Sequence, residues 1–488
     1  VTKSQIFVIM LVLLIGNFVR FHNLSWNPGW YTDEGTHVEI ARHLLNGETQ
    51  YLGITDSYLI AARLPLFEHL LALWFRLVGV GMFQLRLLTS FLGLLIGIAV
   101  YLLMVAISRN RILALGAMLL YAIYPQAVIY SRFGFSYNLL ALLILIGLYF
   151  IVRHRHSNNV RHIILGFMAL GFAVLSDFIA LSFLPVFVIY SVYHHRFHTV
   201  IGVFVMLSPL GLYALYEMSQ HADIFLFDLT YTLARAGGLP IDTQVSNVIN
   251  NIEVLLTSTW WIPLGILGLC FVRDLRLRWL MLAIVIIPIL ISGRTVALHD
   301  LSAYYMIPFL PFFAIGLATL FDNLCNVLSV SLVTDRYIYV SLLLFVVVLT
   351  SINFTRDIQN GFQIGIEHFL ISEDEAQQIK ESLIDYTKDD TYIITSPTLA
   401  WMFDAQVTDF QIASLTATNS VHFPADLYPE RFAFEIHYQT ADYAVVDNLW
   451  RDWGAVHMPV VADMLATIQT WELIFETNMI QVYKNPKT

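Results

Sequence analysis

The first forty-five residues, VTKSQIFVIMLVLLIGNFVRFHNLSWNPGWYTDEGTHVEIARHLL (1–45), place a long apolar run just ahead of two adjacent carboxylates, Asp33 and Glu34. Carboxylates beside a bilayer are costly unless they are solvated, paired or used. The stretch therefore poses two questions: whether 5–21 crosses a membrane, and what the acids do. No small-residue cleavage site follows the run, so it reads as a retained first span and not as a removable signal peptide. Val1 in place of Met implies that a few residues precede it.

Working outward, the rest of the 488-residue chain is as apolar as its start. It is 58% hydrophobic and 13% charged, with a mean hydropathy of +0.68, whereas an ordinary soluble domain carries about 25% charged residues. A soluble fold does not bury that much apolar surface, which makes this an α-helical polytopic membrane protein. About eleven stretches are long and apolar enough to be spans: 5–21, 84–107, 111–127, 137–152, 162–175, 178–193, 197–217, 259–272, 279–292, 303–321 and 337–353. With the amino terminus in the cytoplasm, the inner segments collect Lys3, Arg109, Arg111, Arg153, Arg155, Arg161, Arg196, Arg273, Arg276, Arg278 and Arg336, while the short outer loops hold Arg132, Arg235 and Arg294. The positive-inside rule favours this orientation and an odd span count. The segments 22–83, 218–258 and everything after 354 then lie outside, in a protein of the plasma or inner membrane.

The net charge of -10 and the absence of any long basic run exclude a nucleic-acid partner. Cys270 and Cys325 sit in or beside apolar segments, with neither metal-ligand spacing nor a disulfide framework. The composition divides the chain into a membrane core, 1–353, and an extracytoplasmic tail, 354–488. The tail has a polar helical run, SEDEAQQIKESLIDYTKDD, followed by the strand-like pieces TYIITS (391–396), ADYAVVDN (441–448) and WELIFETNMIQVYKN (471–485), which together predict a small α/β domain.

The first outer loop, 22–83, is too long for a connector. DEGTHVEIARHLLNG begins with helix-starting acids and ends at Gly47, a C-cap residue. Val38, Ala41, Leu44 and Leu45 share one face, which predicts a helix lying in the membrane interface. A second such helix is predicted in ARLPLFEHLLALWFRLVGVG, with Pro65 in its first turn. The acids thus start a helix, where they favour the positive end of its dipole. One acid is enough for that, and Trp26, Trp30 and Tyr31 just upstream suit an interfacial anchor or a sugar-stacking surface. His37 follows Asp33 by four residues on the same face, a spacing that can hold a divalent metal ion.

Taken in order, the aromatic-flanked Asp-Glu, ARHLLNGE, Arg63-Leu64-Pro65-Leu66, FQLRLLTSFLG, YPQAVIYSRFGFSYNLLALLIL (124–145) and AYYMIPFLPFFAIGLA (303–318) resemble the glycosyltransferase C superfamily. More narrowly, they resemble its protein O-mannosyltransferase and aminoarabinose-transferase group. The resemblance implies a many-helix membrane core. It also implies an enzyme that takes a sugar from a polyprenyl-phosphate carrier and transfers it, on the outer side of the membrane, to a hydroxyl of a lipid, glycan or protein. By the same resemblance Asp33 is the catalytic carboxylate. The family's Lys/His-Pro-Pro-Leu reads Arg-Leu-Pro-Leu here, and the second acid of many relatives falls at Asn138. Asn cannot act as a base and is a poor metal ligand, which leaves metal dependence open.

The chemistry assigns roles to residue types. The acceptor hydroxyl loses a proton as it attacks the anomeric carbon, and Asp33 is positioned to take it, with Glu34 as partner. The leaving lipid phosphate gains charge, so cations should face it; Arg63, Arg132, Arg294 and His299 lie on the predicted outer side. Tyr31, His37, Asn138, Tyr304 and Tyr305 are the expected substrate-binding residues. The chain has neither a P-loop nor a Rossmann glycine fingerprint, in keeping with a donor that is not a nucleotide sugar. The competing reading is a lipid or solute transporter or flippase without bond-breaking chemistry, for which Asp177 is the candidate intramembrane acid.

Overall fold

The structure, a computed structural model, describes residues 3–237, 239–298, 300–328, 338–350, 352, 365–384, 386–415, 423–424 and 427–487. It divides into two units. The first comprises Val1–Leu24, Thr89–Tyr216 and Ala236–Phe362, and the second Ser25–Leu88, Glu217–Arg235 and Gln363–Thr488.

The first unit is helical because its sequence is a succession of apolar runs whose backbone must satisfy itself away from water. Among the described residues, five helices are long and apolar enough to cross a membrane: Met82–Ser108, Tyr137–Ser157, Arg196–Ala234, Leu275–Ser292 and Ser302–Val327. Two bent pairs, Arg111–Ile123 with Pro125–Arg132 and Ile241–Thr257 with Trp261–Leu269, bring the total to seven. The other expected spans form the shorter apolar helices Ile9–Phe21, Val160–Ser176, Phe178–His194 and Ile338–Thr350. By length and composition the described helices therefore stop short of eleven spans. Sequence hydropathy does not register where an apolar run breaks or how much of it is wound as one helix. The 57° bend of the first pair falls at Tyr124–Pro125, where the proline ring disfavours a helical backbone at the residue before it.

Tight packing inside this unit relies on small residues. A Cβ on Gly268 would lie 1.8 Å from Gly316 O, and one on Gly316 would lie 1.9 Å from Gly265 O, so only bare backbones permit this approach. Thr319 Oγ1 crosses the same contact to Gly268 O at 2.7 Å. The large apolar side chains that the unit leaves exposed, among them Phe197, Phe204, Leu212 and Leu215, suit a surface bathed in lipid.

In the second unit the first-loop helix α2 runs from Thr32 to Leu45 and ends at Asn46 and Gly47, the latter with φ +82°. The helix α3 runs from Pro65 to Val78 with its proline in the first turn. The two differ in burial. Helix α3 leaves Leu73, Leu77 and Val78 exposed, in keeping with an interfacial helix. Helix α2 is buried on every side from Glu34 to Ala41, so it is not the one-faced interfacial helix that its apolar spacing predicts. Each of its buried polar residues Glu34, His37 and Glu39 meets a polar side chain: Arg86, Glu68 and His43 in turn.

The tail forms a five-stranded sheet: β1 (Tyr392–Thr395), β2 (Gln406–Asp409), β3 (Tyr443–Val446), β4 (Glu472–Glu476) and β5 (Gln481–Lys484), in the order β2-β1-β3-β5-β4. Strand β1 is parallel to both β2 and β3, while β5 is antiparallel to β3 and β4. The strand-like pieces of the sequence correspond to β1, β3 and the β4–β5 hairpin. Strand β2 is too short and too polar to announce itself. The polar helical run forms Glu373–Leu383, capped by Ser372 Oγ accepting from Glu375 N at 3.2 Å, with Ala376, Ile379 and Leu383 turned inward.

Candidate active site

The start of α2 concentrates the charge of the first loop. Asp33 Oδ1 accepts from Arg63 Nη2 at 2.8 Å, and both side chains remain partly exposed, at 22% and 14%. Glu34, one residue on, points about 100° away around the helix and is fully buried. Its Oε1 accepts from Arg86 Nε at 2.8 Å and its Oε2 from Arg86 Nη2 at 2.6 Å, a planar fork on a carboxylate. Glu34 Oε2 also accepts from Tyr31 N at 3.0 Å, the half of a capping box in which the third helical residue reaches back to the N-cap amide. Arg86 completes its bonds with the carbonyls of Pro28 and Gly29. The neighbouring acids thus have separate tasks. Glu34 ties the helix start to the chain before it and to Arg86 at the start of α4 (Met82–Ser108), and Asp33 keeps a partly exposed carboxylate beside Arg63.

His37 lies one turn below Asp33 but turns to Glu68 of α3, with 2.7 Å between Nδ1 and Oε1 and both side chains 1% exposed. Asp33 and His37 therefore do not converge on a common point, and among the described residues no three His, Cys, Asp or Glu side chains form a group able to hold a metal ion. Farther along α2, Glu39 pairs with Arg42 at 3.2 Å and His43 at 2.9 Å. Burial opposes the charge on Glu39, but the bonds and charges of His43 and Arg42 outweigh it and hold the carboxyl below its ordinary range. Tyr31 is the N-cap residue of α2, and its ring is buried.

The other expected site residues belong to the first unit. Arg132 is fully buried and donates to the carbonyls of Val19 at 3.0 Å, Arg20 at 3.3 Å and Asn23 at 3.1 Å. Its fork thus caps the end of helix α1 (Lys3–Phe21), whose last carbonyls have no intrahelical partner. Asn138 Nδ2 donates to Tyr130 O at 3.0 Å and Phe135 O at 3.2 Å, bracing the turn between two helices. Tyr304 stacks on Phe135 and Tyr137, with ring centroids 4.6 and 5.4 Å apart, and Tyr305 meets Tyr137 edge-on. Tyr305 also lines an apolar cleft with Leu255, Ile289, Met306 and Phe309, whose empty volume, including open solvent, is about 330 Å³. Arg294 is exposed and donates to Gln244 at 2.9 Å. His299 lies outside the described residues. Asp177 Oδ1 accepts from Ile179 N at 2.8 Å as the cap of the next helical turn.

Sequence reasoning missed Arg86 and Glu68. The signal for both was a charged residue inside an otherwise apolar helical run, at positions where solvation by water is lost and a partner is required. It also missed Arg431, which grips Asp228 through two bonds of 3.0 and 3.1 Å and donates from Nε to Thr55 O at 2.9 Å.

The fold is shared with solved structures of low sequence identity. ArnT from Cupriavidus metallidurans bound to undecaprenyl phosphate superposes with a TM-score of 0.69 at 16% identity, covering 99% of this chain and 98% of that one. The apo state of the same protein gives 0.65 at 15% identity over the same shares. The archaeal oligosaccharyltransferase AglB from Archaeoglobus fulgidus, in complex with an inhibitory peptide and a dolichol-phosphate, gives 0.54 at 13% identity, covering 99% of this chain and 74% of that one. No curated protein matches in sequence. Residues 10–277, more than half of the chain, match the family of dolichyl-phosphate-mannose-protein mannosyltransferases, and the chain belongs to that family.

Proposed function

We propose that this protein is an integral-membrane glycosyltransferase that moves a sugar from a polyprenyl-phosphate carrier to a hydroxyl group of a lipid, glycan or protein acceptor. In this reading residues 1–353 form the membrane core with its amino terminus in the cytoplasm, residues 354–488 form the extracytoplasmic domain, and transfer takes place on the outer face. Family membership and the fold shared with undecaprenyl- and dolichol-phosphate complexes support the lipid-linked donor. The observation that carries the chemistry is the division of labour at the start of α2: Glu34 is consumed by Arg86, while Asp33 keeps a partly exposed carboxylate beside Arg63.

Asp33 acts as general base. As the acceptor oxygen attacks the anomeric carbon, its proton passes to the Asp33 carboxylate, the bond from that carbon to the phosphate oxygen breaks, and polyprenyl phosphate leaves with the bonding electrons. Arg63 orients the carboxylate and sets its positive charge beside the phosphate as charge develops there. The Tyr304–Tyr137–Phe135 stack gives its unit a wall of packed rings.

The test is transfer by the purified full-length protein in lipid nanodiscs, with undecaprenyl-phosphate mannose as donor and cell-envelope extract as acceptor. Labelled sugar appearing on the acceptor, with release of undecaprenyl phosphate, is the expected result. Movement of lipid or solute across the bilayer with the sugar–phosphate bond intact would sink the enzyme reading in favour of a transporter.

A further inference from the structure

The sheet of the tail and the first turn of α2 meet at Gly35. A Cβ there would lie 1.9 Å from Pro397 O and 2.7 Å from Thr398 Cα, so the two backbones touch only because residue 35 has no side chain. A second line of contact runs just upstream, where Trp30 N donates to Ile371 O at 2.7 Å and Ile371 N to Trp30 O at 3.1 Å. Two residues before Pro397, β1 ends at Thr395, which pairs in register with Asp409 at the end of β2. The carboxyl ends of these parallel strands therefore lie against the element that carries Asp33. In open α/β sheets this is the edge that usually serves function.

Asp409 is 1% exposed. Its Oδ1 accepts from Ile412 N at 2.6 Å, while Oδ2 is buried without a full hydrogen bond, as are Thr395 Oγ1 and Thr408 Oγ1. Leaving buried polar atoms unanswered costs stability, so such a group calls for an explanation. The neighbour that supplies one is Tyr51 of the first loop. Its buried phenol lies alongside the Asp409 carboxyl and favours its charged form; it also bonds with Thr36 of α2 and stands in the field of Arg63 and Asp33. Asp409 thus reaches α2, the helix that carries Asp33, through one side chain.

We propose that Asp409 of the tail, acting through Tyr51, is a positioning residue for the Asp33–Arg63 pair, with the Gly35–Pro397 contact holding α2 in place. The proposal rests on the reading of Asp33 as general base. The tail is then part of the catalytic mount. Burial pushes the Asp409 carboxyl up to about 7, against the opposing pull of the Ile412 and Gln411 amides and the Tyr51 phenol; Tyr392 of β1 also lies in its field. Protonation removes the anionic acceptor that holds the phenol, so kcat falls as pH drops through about 7.

The experiment compares wild type, Asp409→Asn, Tyr51→Phe and the double variant as full-length proteins in nanodiscs. Undecaprenyl-phosphate mannose is the donor and a serine/threonine peptide the acceptor, and hydrogen exchange is read over residues 30–40. Each single variant should lose about tenfold in kcat, the scale of a small misplacement of a reacting group, with donor KM within about twofold. The double variant should be no worse than either single one, the change in rate near pH 7 should vanish, and exchange over 30–40 should quicken while the spans stay protected. Wild-type kcat, pH profile and exchange in the variants would overturn the proposal, and so would a uniform rise in exchange, which marks a merely structural role. If the wild type itself transfers no sugar, the functional reading fails for this acceptor, and the exchange data still decide whether Asp409 and Tyr51 hold α2.

Discussion

The first loop and the pair of segments 130–138 and 300–309 contribute to one chemistry in the sequence reading, and they are built in opposite ways. In the first loop side chains answer side chains: Asp33 meets Arg63, Glu34 meets Arg86 and His37 meets Glu68. In the other two segments Arg132 and Asn138 answer backbone carbonyls, and Tyr304 and Tyr305 answer other rings. In the proposed reading of Asp33 as general base, the difference separates machinery from frame. A carboxylate that is partly exposed beside a single guanidinium can take up and release a proton, whereas a guanidinium spread over three carbonyls is occupied in holding a helix end.

The contrast is open to attack at several points. Replacing Asp33 by Asn keeps its shape and removes the base, so turnover should fall about a thousandfold, within the range for losing a general base, with an unchanged unfolding temperature. Turnover within twofold of wild type would break the contrast at its centre. Arg86→Met leaves Glu34 buried and unpaired, at a cost of about 3–5 kcal/mol. A thermal-shift measurement should show that loss, and Glu34→Gln combined with Arg86→Met should recover much of it.

Asp409 sharpens the comparison through pH. Burial raises its folded value to about 7 from 3.8, so the folded state holds the proton longer than the unfolded one. The stabilising contribution is complete below the unfolded value and is lost as pH climbs from about 4 to about 7. The shift bounds the effect at roughly 4 kcal/mol. Unfolding temperatures at both ends of this window should differ less in Asp409→Asn than in wild type.

Smaller effects should come from the frame. Arg132→Lys exchanges a fork for a point charge, so about 1–2 kcal/mol of stability should go while donor KM stays within twofold. A large, selective rise in donor KM would move Arg132 into the machinery. Arg294→Ala removes an exposed side chain bonded to Gln244, and both stability and turnover should change by less than about twofold, or some 0.5 kcal/mol. Because Arg294 carries the sequence's phosphate-binding expectation, a tenfold loss of transfer there would support that expectation.

Much of this was legible before any coordinates. Helix α2 begins beside the acids and ends at Asn46–Gly47, because capping residues act within one turn. Pro65 opens α3 for the same local reason. Each of the eleven apolar stretches carries a helix, but the bend at Tyr124–Pro125 and the shortness of four helices lie outside what hydropathy counts. In the tail, β2 (QVTD) escaped notice, because four half-polar residues become a strand only by lying against β1.

The sequence by itself determined a membrane-embedded helical protein with a paired acid at the start of a helix, since hydropathy, periodicity and caps are properties of residues within a turn or two of one another. Only the tertiary structure decided which acid is fully buried and which stays partly exposed. Glu34 finds Arg86 fifty-two positions away, Asp33 finds Arg63 thirty away, and Pro397 closes on Gly35 from the far end of the chain. A charge taken out of water must find its partner wherever the fold brings one, and nothing in the local sequence names that partner.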